Sequence, residues 1–337
     1  MDKNIIGKET LRDLLSHLTA GHTSGGAGEL IGPVDTGKVV EYRRAAPSEI
    51  LMDDRVSYKS MKEFYFPQVE RMFTFPGGDG GKTLENTDNP GYLIFGAKPC
   101  DLEALRVMKE VYTTGRYADP FFQRRFEANL LIGVGCAAEK PGCFCGQMGV
   151  DREFSDFCDI MLRDTGDCYA VEHLSEKGMR ALREYAPTKA VECDNTRRAS
   201  VPEGEKLALN PQKPDAAYFD IIDWAKATET CRGCGMCTFI CPTCHCFDFR
   251  DAQDKGAVNR YKCWDSCMYP KFTLHASGHN PREKRWERYR QRVLHKYKYV
   301  PANCGLIACT GCGRCLRSCP VGMDIRRIVK QIMEERP

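Results

Sequence analysis

The chain has 337 residues, 20 cysteines and a formal net charge of +3. A nearly neutral charge gives no general case for nucleic-acid binding, and no apolar run approaches the ~18 residues of a membrane-spanning helix. The first ten residues lack the basic-then-apolar layout of a secretory signal. Thiols kept as metal ligands are typical of a reducing compartment, so we expect a cytoplasmic protein of two domains and no disulfide scaffold.

The first segments of the chain predict one amphipathic helix and two loops. Four leucines recur at helical spacing and predict a helix over residues 8–19: Leu11, Leu14, Leu15 and Leu18. The glycine-rich segment 21–32 and the triplet Gly81-Lys82-Thr83 both depart from nucleotide-binding motifs. We interpret them as loops and expect no nucleotide site.

The middle of the chain predicts a parallel sheet. The apolar runs 92–95 and 130–134 read as buried strands, and residues 101–112 between them read as a helix. Strand–helix–strand at this spacing is typical of a βαβ unit. Residues 159–173 then predict a hairpin. The first domain, over 1–200, is therefore expected to be an α/β domain with a short parallel sheet.

The remainder predicts a linker and a second domain, which makes the fold class α+β. Residues 201–214 are polar and proline-containing, as linkers are. Residues 215–227 predict a helix at the start of the second domain, 215–337. We expect this domain to be helical and ferredoxin-like, with a long insertion over 247–303.

Two cysteine runs define the expected metal chemistry. They read Cys231-x2-Cys234-x2-Cys237-x3-Cys241-Pro242 and Cys309-x2-Cys312-x2-Cys315-x3-Cys319-Pro320. In two-cluster ferredoxins three thiolates of a run bind one [4Fe–4S] cube and the fourth binds the other cube. The predicted ligands of cluster 1 are Cys231, Cys234, Cys237 and Cys319, and those of cluster 2 are Cys241, Cys309, Cys312 and Cys315. Zinc ribbons also use Cys-x2-Cys pairs, but the third ligand and the Cys-Pro ending disfavour zinc.

Further cysteines follow the two predicted strands of the first domain. Neighbouring parallel strands end at the same edge of a sheet, where ligands gather. The residues placed there are Cys100, Cys136, Cys143 and Cys145, with Asp101 as an alternative oxygen ligand. Either these thiols hold a third iron–sulfur cluster or they are small buried side chains. We interpret Cys158, Cys168 and Cys193 as structural.

The insertion carries cysteines and a basic segment, each with two interpretations. Cys244, Cys246, Cys263 and Cys267 either form a fourth metal site or pack beside the cubes, where they would tune their potentials. Residues 282–298 contain eight Lys and Arg residues against two Glu. This segment is either a solvated basic helix, or a charge that offsets the anionic clusters or docks an acidic partner.

The chain resembles the iron–sulfur subunit that anaerobic sulfite reductases and sulfhydrogenases share. In the sulfhydrogenases this subunit is the beta subunit. The resemblance spans roughly residues 55–330. It rests on six motifs: Phe95-Gly96-x3-Cys100-Asp101, Gly133-Val134-x-Cys136, Cys143-Phe144-Cys145, Cys241-Pro-Thr-Cys-His-Cys-Phe-Asp248, Trp264-Asp-Ser-Cys267-Met and His275-Ala-Ser-Gly-His-Asn-Pro281. The glycine-rich segment 21–32 and Cys158, Cys168, Cys193 and Cys263 are not clearly part of this pattern.

The resemblance implies a non-catalytic electron-transfer subunit. It implies a flavoprotein partner that takes electrons from NAD(P)H, and a catalytic partner of sulfite reductase, hydrogenase or heterodisulfide-reductase type. It also favours the third [4Fe–4S] cluster, since Cys100, Cys136, Cys143 and Cys145 are all present.

The sequence also suggests two functions other than electron transfer. One is thiol or disulfide chemistry at the cluster of the first domain, although the adjacent Cys-Cys pairs of heterodisulfide-reducing subunits are absent from this sequence. The other is nucleic-acid binding by the basic segment 282–298, which contains interleaved aromatic residues. We expect no nucleic-acid affinity.

Overall fold

A computed structural model describes residues 4–21, 29–77, 83–87, 91–166, 168–183 and 206–335. Several segments discussed above lie outside the described residues: 22–28 of the glycine-rich segment, Gly81 and Lys82, Cys193, and 201–205 of the predicted linker. The chain forms two compact units. Unit 1 comprises residues 1–65, 89–206 and 310–312, and unit 2 comprises residues 66–88, 207–309 and 313–337.

The described elements are as follows in chain order. The strands are β1 Asn4–Gly7, β2 Glu29–Asp35, β3 Val40–Arg44, β4 Val69–Phe75, β5 Leu84–Glu85, β6 Tyr92–Ala97, β7 Leu130–Val134, β8 Ile160–Asp164, β9 Cys168–His173, β10 Phe247–Asp254 and β11 Ala257–Trp264. The α-helices are α1 Lys8–Gly21, α2 Pro99–Thr113, α3 Pro120–Ala128, α4 Glu176–Arg183, α5 Ala216–Phe219, α6 Trp224–Ala227, α7 Met236–Phe239, α8 Arg285–Leu294, α9 Val300–Cys304, α10 Arg314–Arg317 and α11 Ile325–Glu334. Short 3-10 turns occur at Pro47–Glu49, Met61–Phe64, Gly146–Met148 and Pro270–Thr273, and a π-turn at His295–Tyr299.

Unit 1 is built on a seven-stranded mixed sheet with the order β1-β9-β8-β7-β6-β2-β3. Its four central strands, β8, β7, β6 and β2, run parallel, and antiparallel strands flank them on both sides. The predicted βαβ unit is confirmed, because β6 and β7 pair in parallel and α2 lies between them in the chain. The predicted hairpin is confirmed as β8 and β9.

The predicted amphipathic helix is α1, and it supplies part of the core of unit 1. Leu11, Leu14, Leu15 and Leu18 are each at most 1% exposed. They belong to one apolar cluster with Phe95 of β6 and Ile132 of β7. Burial of such side chains is worth about 1.5–3 kcal/mol each, so this contact holds α1 against the sheet.

Unit 2 contains a sheet that the sequence did not predict. The insertion folds as the hairpin β10–β11, and β11 pairs antiparallel with β4 in a four-stranded sheet ordered β10-β11-β4-β5. Lys255 and Gly256 close the hairpin with positive φ values of 47° and 80°, as tight hairpin turns require. Unit 2 is therefore mixed, rather than helical as expected. It also takes in residues 66–88, which the predicted boundary had placed in the first domain, because β4 finds its partner in the insertion.

The helix predicted over 215–227 is divided into α5 and α6. Asp223 begins the second helix, since its carboxylate accepts a hydrogen bond from the Lys226 amide. The Trp224 indole N–H donates to the Tyr218 carbonyl at 3.1 Å. A local cap and an indole contact thus replace the continuous helix that the apolar spacing favoured.

None of the helices in the described part of the chain is both long enough and apolar enough to cross a membrane.

A buried ion pair across β4 and β11 provides a test of unit 2. Glu70 and Lys262 are register partners whose side chains are 1% and 2% exposed, and their charged atoms lie 2.9 Å apart. We expect Lys262→Met to cost about 3–5 kcal/mol, because it leaves a buried carboxylate without its partner. The double variant Glu70→Leu/Lys262→Met should recover most of this loss. Thermal unfolding of the full chain measures both, and a single variant as stable as the native protein would contradict the expectation.

Candidate metal centres

A cavity in unit 2 brings together the predicted ligands of cluster 1. Its lining includes Cys231, Cys234, Cys237 and Cys319, together with Tyr289 and Arg292. Cys315, a predicted ligand of cluster 2, also lines this cavity. Cys319 is distant in sequence from the other three predicted ligands of cluster 1, so the fold brings the end of the second run close to the first run. This is the crossing of ligands that the two-cluster pattern requires.

The two cysteine runs share a local backbone geometry. Gly235 and Gly313 each follow the second cysteine of their run, with φ values of 76° and 69°. Each begins a short helix, α7 or α10, that carries the third cysteine, Cys237 or Cys315. Glycine adopts this left-handed conformation without the strain that a Cβ would cause. The repeat seen in the sequence is therefore also a repeat of structure.

The predicted ligands of cluster 2 are distributed over the two compact units. Cys241, Cys309 and Cys315 belong to unit 2, whereas Cys312 is grouped with unit 1. In unit 2 the Cys241 sulfur lies 3.2 Å from Lys296 Nζ and 3.2 Å from Thr243 Oγ1. Burial raises the pKa of the Tyr297 hydroxyl, as do the charge of Cys309 and a hydrogen bond to it.

The basic segment buries four of its charges, one of which, Lys298, forms an ion pair with Asp215 at 2.5 Å. Arg288, Arg292 and Lys296 recur at every fourth position from α8 into the π-turn, and they are 8%, 2% and 3% exposed. Arg288 donates to the carbonyls of Met268, Arg282 and Glu283. Arg292 Nη2 donates to the Cys237 carbonyl at 3.5 Å. For these residues the solvated-helix interpretation is wrong, and the positions of Arg292 and Lys296 beside predicted ligands favour offset of cluster charge.

The buried guanidinium of Arg292 indicates whether the residues of the cavity suit an anionic cluster. Its buried Nε has no hydrogen-bond partner among the described residues. Burial by itself lowers the pKa of a guanidinium, yet the nearby Cys237 and Cys315 sulfurs hold the pKa of Arg292 above its usual value. A buried cation is costly unless an anion compensates it. A thiolate-ligated iron–sulfur cluster supplies that negative charge, so the residues fit the group.

The third candidate site lies in unit 1 at the edge where β6 and β7 end. Cys100 is in the first turn of α2, directly beyond β6, and Cys136 follows β7 by two residues. Cys136, Cys143 and Cys145 lie close enough to interact electrostatically. Burial raises the pKa of the Cys136 thiol to about 12, while Lys98 acts in the opposite direction. Asp101 is 2% exposed within α2.

Asp54 stabilises this edge, which sequence reasoning missed. Its carboxylate accepts hydrogen bonds from Lys98 Nζ at 3.4 Å and from Lys140 Nζ at 2.5 Å. It also accepts from the amides of Ala137 and Ala138, in the loop between Cys136 and Cys143. An acidic residue that is 84 positions from its amide partner carries no local sequence signal for this role.

The loop of Cys143 and Cys145 also contacts the short segment 310–312 of unit 1. The Phe144 amide donates to the Gly311 carbonyl at 2.7 Å, and Cys143 Sγ lies 3.5 Å from the Cys312 carbonyl. A Cβ on Gly311 would lie 2.4 Å from the Phe144 carbonyl oxygen. Glycine is therefore required at that position.

Most cysteines of the insertion lie beside the ligand runs. Cys244 forms a side-chain hydrogen bond with Cys241, and Cys246 forms one with Cys267. Cys263 is on β11, paired in register with Asp248. Within the described ranges, no three His, Cys, Asp or Glu side chains converge on a position for a single metal ion. Of the cysteines interpreted as structural, Cys158 is half-buried, and Cys168 is buried on β9 and disulfide-bonded.

Residues 230–323, which contain both cysteine runs, match the family model of a 4Fe-4S dicluster domain. Over most of its length, the chain is similar to sulfhydrogenase 2 subunit beta of Pyrococcus furiosus. The two are 28% identical over 319 residues, which cover 91% of this chain and 93% of the relative. No solved structure matches the chain. The comparisons confirm the resemblance to an iron–sulfur subunit family and support at least two [4Fe–4S] clusters.

Removal of one ligand tests the cluster 1 site. We expect Cys234→Ala to lower the iron content by about four atoms per chain, the content of one cube. It should also weaken retention of the second cube, because the two ligand sets are interleaved. Iron analysis of anaerobically purified protein measures the loss, with Cys304→Ala at the end of α9 as the matched control. Unchanged iron in Cys234→Ala would remove this residue from the ligand set.

Proposed function

We propose that the protein is a non-catalytic electron-transfer component of an anaerobic oxidoreductase complex. It receives electrons from a flavoprotein that oxidises NAD(P)H and passes them singly to a catalytic subunit. The observation that carries the proposal is the cavity of unit 2, where cysteines from both runs meet beside a buried guanidinium. Such a site holds a redox group in the protein interior.

The chemistry of the ligand set explains why a relay suits this chain. When bound, a [4Fe–4S] cube accepts and releases one electron at a time, whereas a flavin accepts a pair. Cys231, Cys234, Cys237 and Cys319 would hold one cube and Cys241, Cys309, Cys312 and Cys315 the other, and two one-electron centres would suit the division of an electron pair into single transfers. Arg292 lies beside ligands of both sets, and Lys296 lies beside a ligand of cluster 2. A positive charge there stabilises the more negative, reduced state.

The relative supports one group of terminal reactions above the others. Its name describes one component of a sulfhydrogenase, so we propose a catalytic partner of hydrogenase or sulfur-reducing type. Sulfite reductase and heterodisulfide reductase partners would use the same relay chemistry. The acceptor is reduced by the partner, and the relay requires only a docking surface and a cluster near it.

We also propose the third [4Fe–4S] cluster in unit 1. Cys136, Cys143 and Cys145 share one loop region, and Cys100 follows the neighbouring parallel strand. Lys98, which is 5% exposed, supplies a positive charge near Cys136. The same thiols could instead carry out their own disulfide chemistry, which the test below separates from a cluster.

The relay is tested on the native complex, purified without oxygen. We expect two further proteins to co-purify, one that binds flavin and one that is a catalytic oxidoreductase, as identified by mass spectrometry. Addition of NAD(P)H should then bleach the visible absorption of the clusters. Protein that purifies alone, and whose clusters are not reduced by NAD(P)H with the flavoprotein present, would contradict the relay.

The third cluster is tested by counting iron in matched variants. We expect ~12 iron atoms per chain in the native protein, at four per cube, and ~8 in Cys136→Ala. The electron paramagnetic resonance signals of the two ferredoxin-type cubes should remain. Cys158→Ala, which also replaces a half-buried cysteine of unit 1, serves as the control. About 8 iron atoms in the native protein would exclude the third cluster, and disulfide reduction by such protein would favour thiol chemistry.

A further inference from the structure

The two cysteine runs differ at the positions directly after their last cysteine. The first continues as Cys241-Pro242-Thr243-Cys244, whereas the second continues as Cys319-Pro320-Val321-Gly322. A hydroxyl and a thiol in the first run thus correspond to an isopropyl group and a hydrogen atom in the second. The backbone repeat is symmetric, but the groups able to donate hydrogen bonds are not.

Three side chains surround the Cys241 sulfur. Lys296 Nζ lies 3.2 Å from it, Thr243 Oγ1 lies 3.2 Å from it, and Cys244 forms a side-chain hydrogen bond with it. Lys296 also donates to Thr243 Oγ1 at 2.8 Å and to the Ala308 carbonyl at 3.0 Å. Thr243 in turn donates to the same carbonyl at 2.7 Å. The ammonium is therefore fixed against the sulfur by a small network.

Lys296 brings an uncompensated charge to this network. It is 3% exposed, and among the described residues it forms no ion pair with a carboxylate. The Cys319 sulfur, by contrast, accepts a backbone hydrogen bond from Met323 at 3.2 Å. Arg292 interacts with Cys237 of one ligand set and Cys315 of the other, so it does not distinguish them.

We propose that Lys296, held in place by Thr243 and assisted by the Cys244 thiol, makes cluster 2 the higher-potential centre of the pair. Electrons would then pass from cluster 1 to cluster 2 and rest there before they leave. Donors to a ligand sulfur and nearby positive charge stabilise the reduced cluster, which carries one more negative charge. The inference deepens the proposed relay and rests on it, since it assigns a direction to the transfer.

The test is a redox titration of the full-length holoprotein, followed by electron paramagnetic resonance. In the native protein we expect the two ferredoxin-type cubes to titrate at different potentials. Lys296→Met removes the charge and keeps the length of the side chain. We expect it to shift the higher-potential wave downward by at least a tenfold change in the one-electron equilibrium, which is about 59 mV. Lys284→Met, an exposed position that precedes α8, should shift neither wave.

Cys244→Ala is the second variant, because it leaves the buried charge in place and introduces no cavity larger than a sulfur atom. It should shift the same wave downward by a smaller amount, with native iron content. If Lys296→Met loses iron, the potential of the higher wave in Cys244→Ala tests the proposal in its place. A shift of the lower wave, or no shift in a variant with full iron content, would overturn this inference and leave the relay intact. Native protein without cubane signals would overturn both.

Discussion

The main physical constraint on unit 2 is the burial of two positive charges, Arg292 of α8 and Lys296 of the following π-turn, beside predicted cluster ligands. Arg292 and Lys296 are almost completely inaccessible, and their polar neighbours are a threonine hydroxyl, cysteine sulfurs and carbonyl oxygens rather than carboxylates. Such cations would be strongly destabilising in an apolar interior. The thiolate-bound cubes that the sequence predicts remove that cost, so the protein is expected to need its clusters for full stability.

This coupling explains the use of a long insertion between two short cysteine runs. Here α8 and the following π-turn run beside the ligand sets. The four-residue spacing of Arg288, Arg292 and Lys296 puts all three side chains in buried positions. The hairpin β10–β11 then joins the insertion to β4, which ties the insertion to an earlier part of the chain.

Local patterns in the sequence were sufficient for part of this description. The ligand runs, the βαβ unit and the helix of Leu11 to Leu18 are each specified by spacing within a short window, and these patterns predicted them. The pairing of β4 with β11 joins residues far apart in the chain, and its strands lack a distinctive local pattern. The buried Lys296 was missed because lysine and arginine are usually solvated, so a basic run favours a surface helix. The network of Asp54 was missed for the same reason as the sheet, since its partners are distant.

The discontinuous make-up of unit 2 has a consequence for biosynthesis. Strand β4 leaves the ribosome well before β11, with most of unit 1 between them in the chain. At about 5–20 residues per second, the intervening 180 or so residues take roughly ten to forty seconds to translate. During that interval β4 can pair only with the two-residue strand β5, and its other edge lacks the partner β11. An unpaired strand edge is open to association with other chains. Assembly of unit 2 therefore has to await the C-terminal half of the nascent chain.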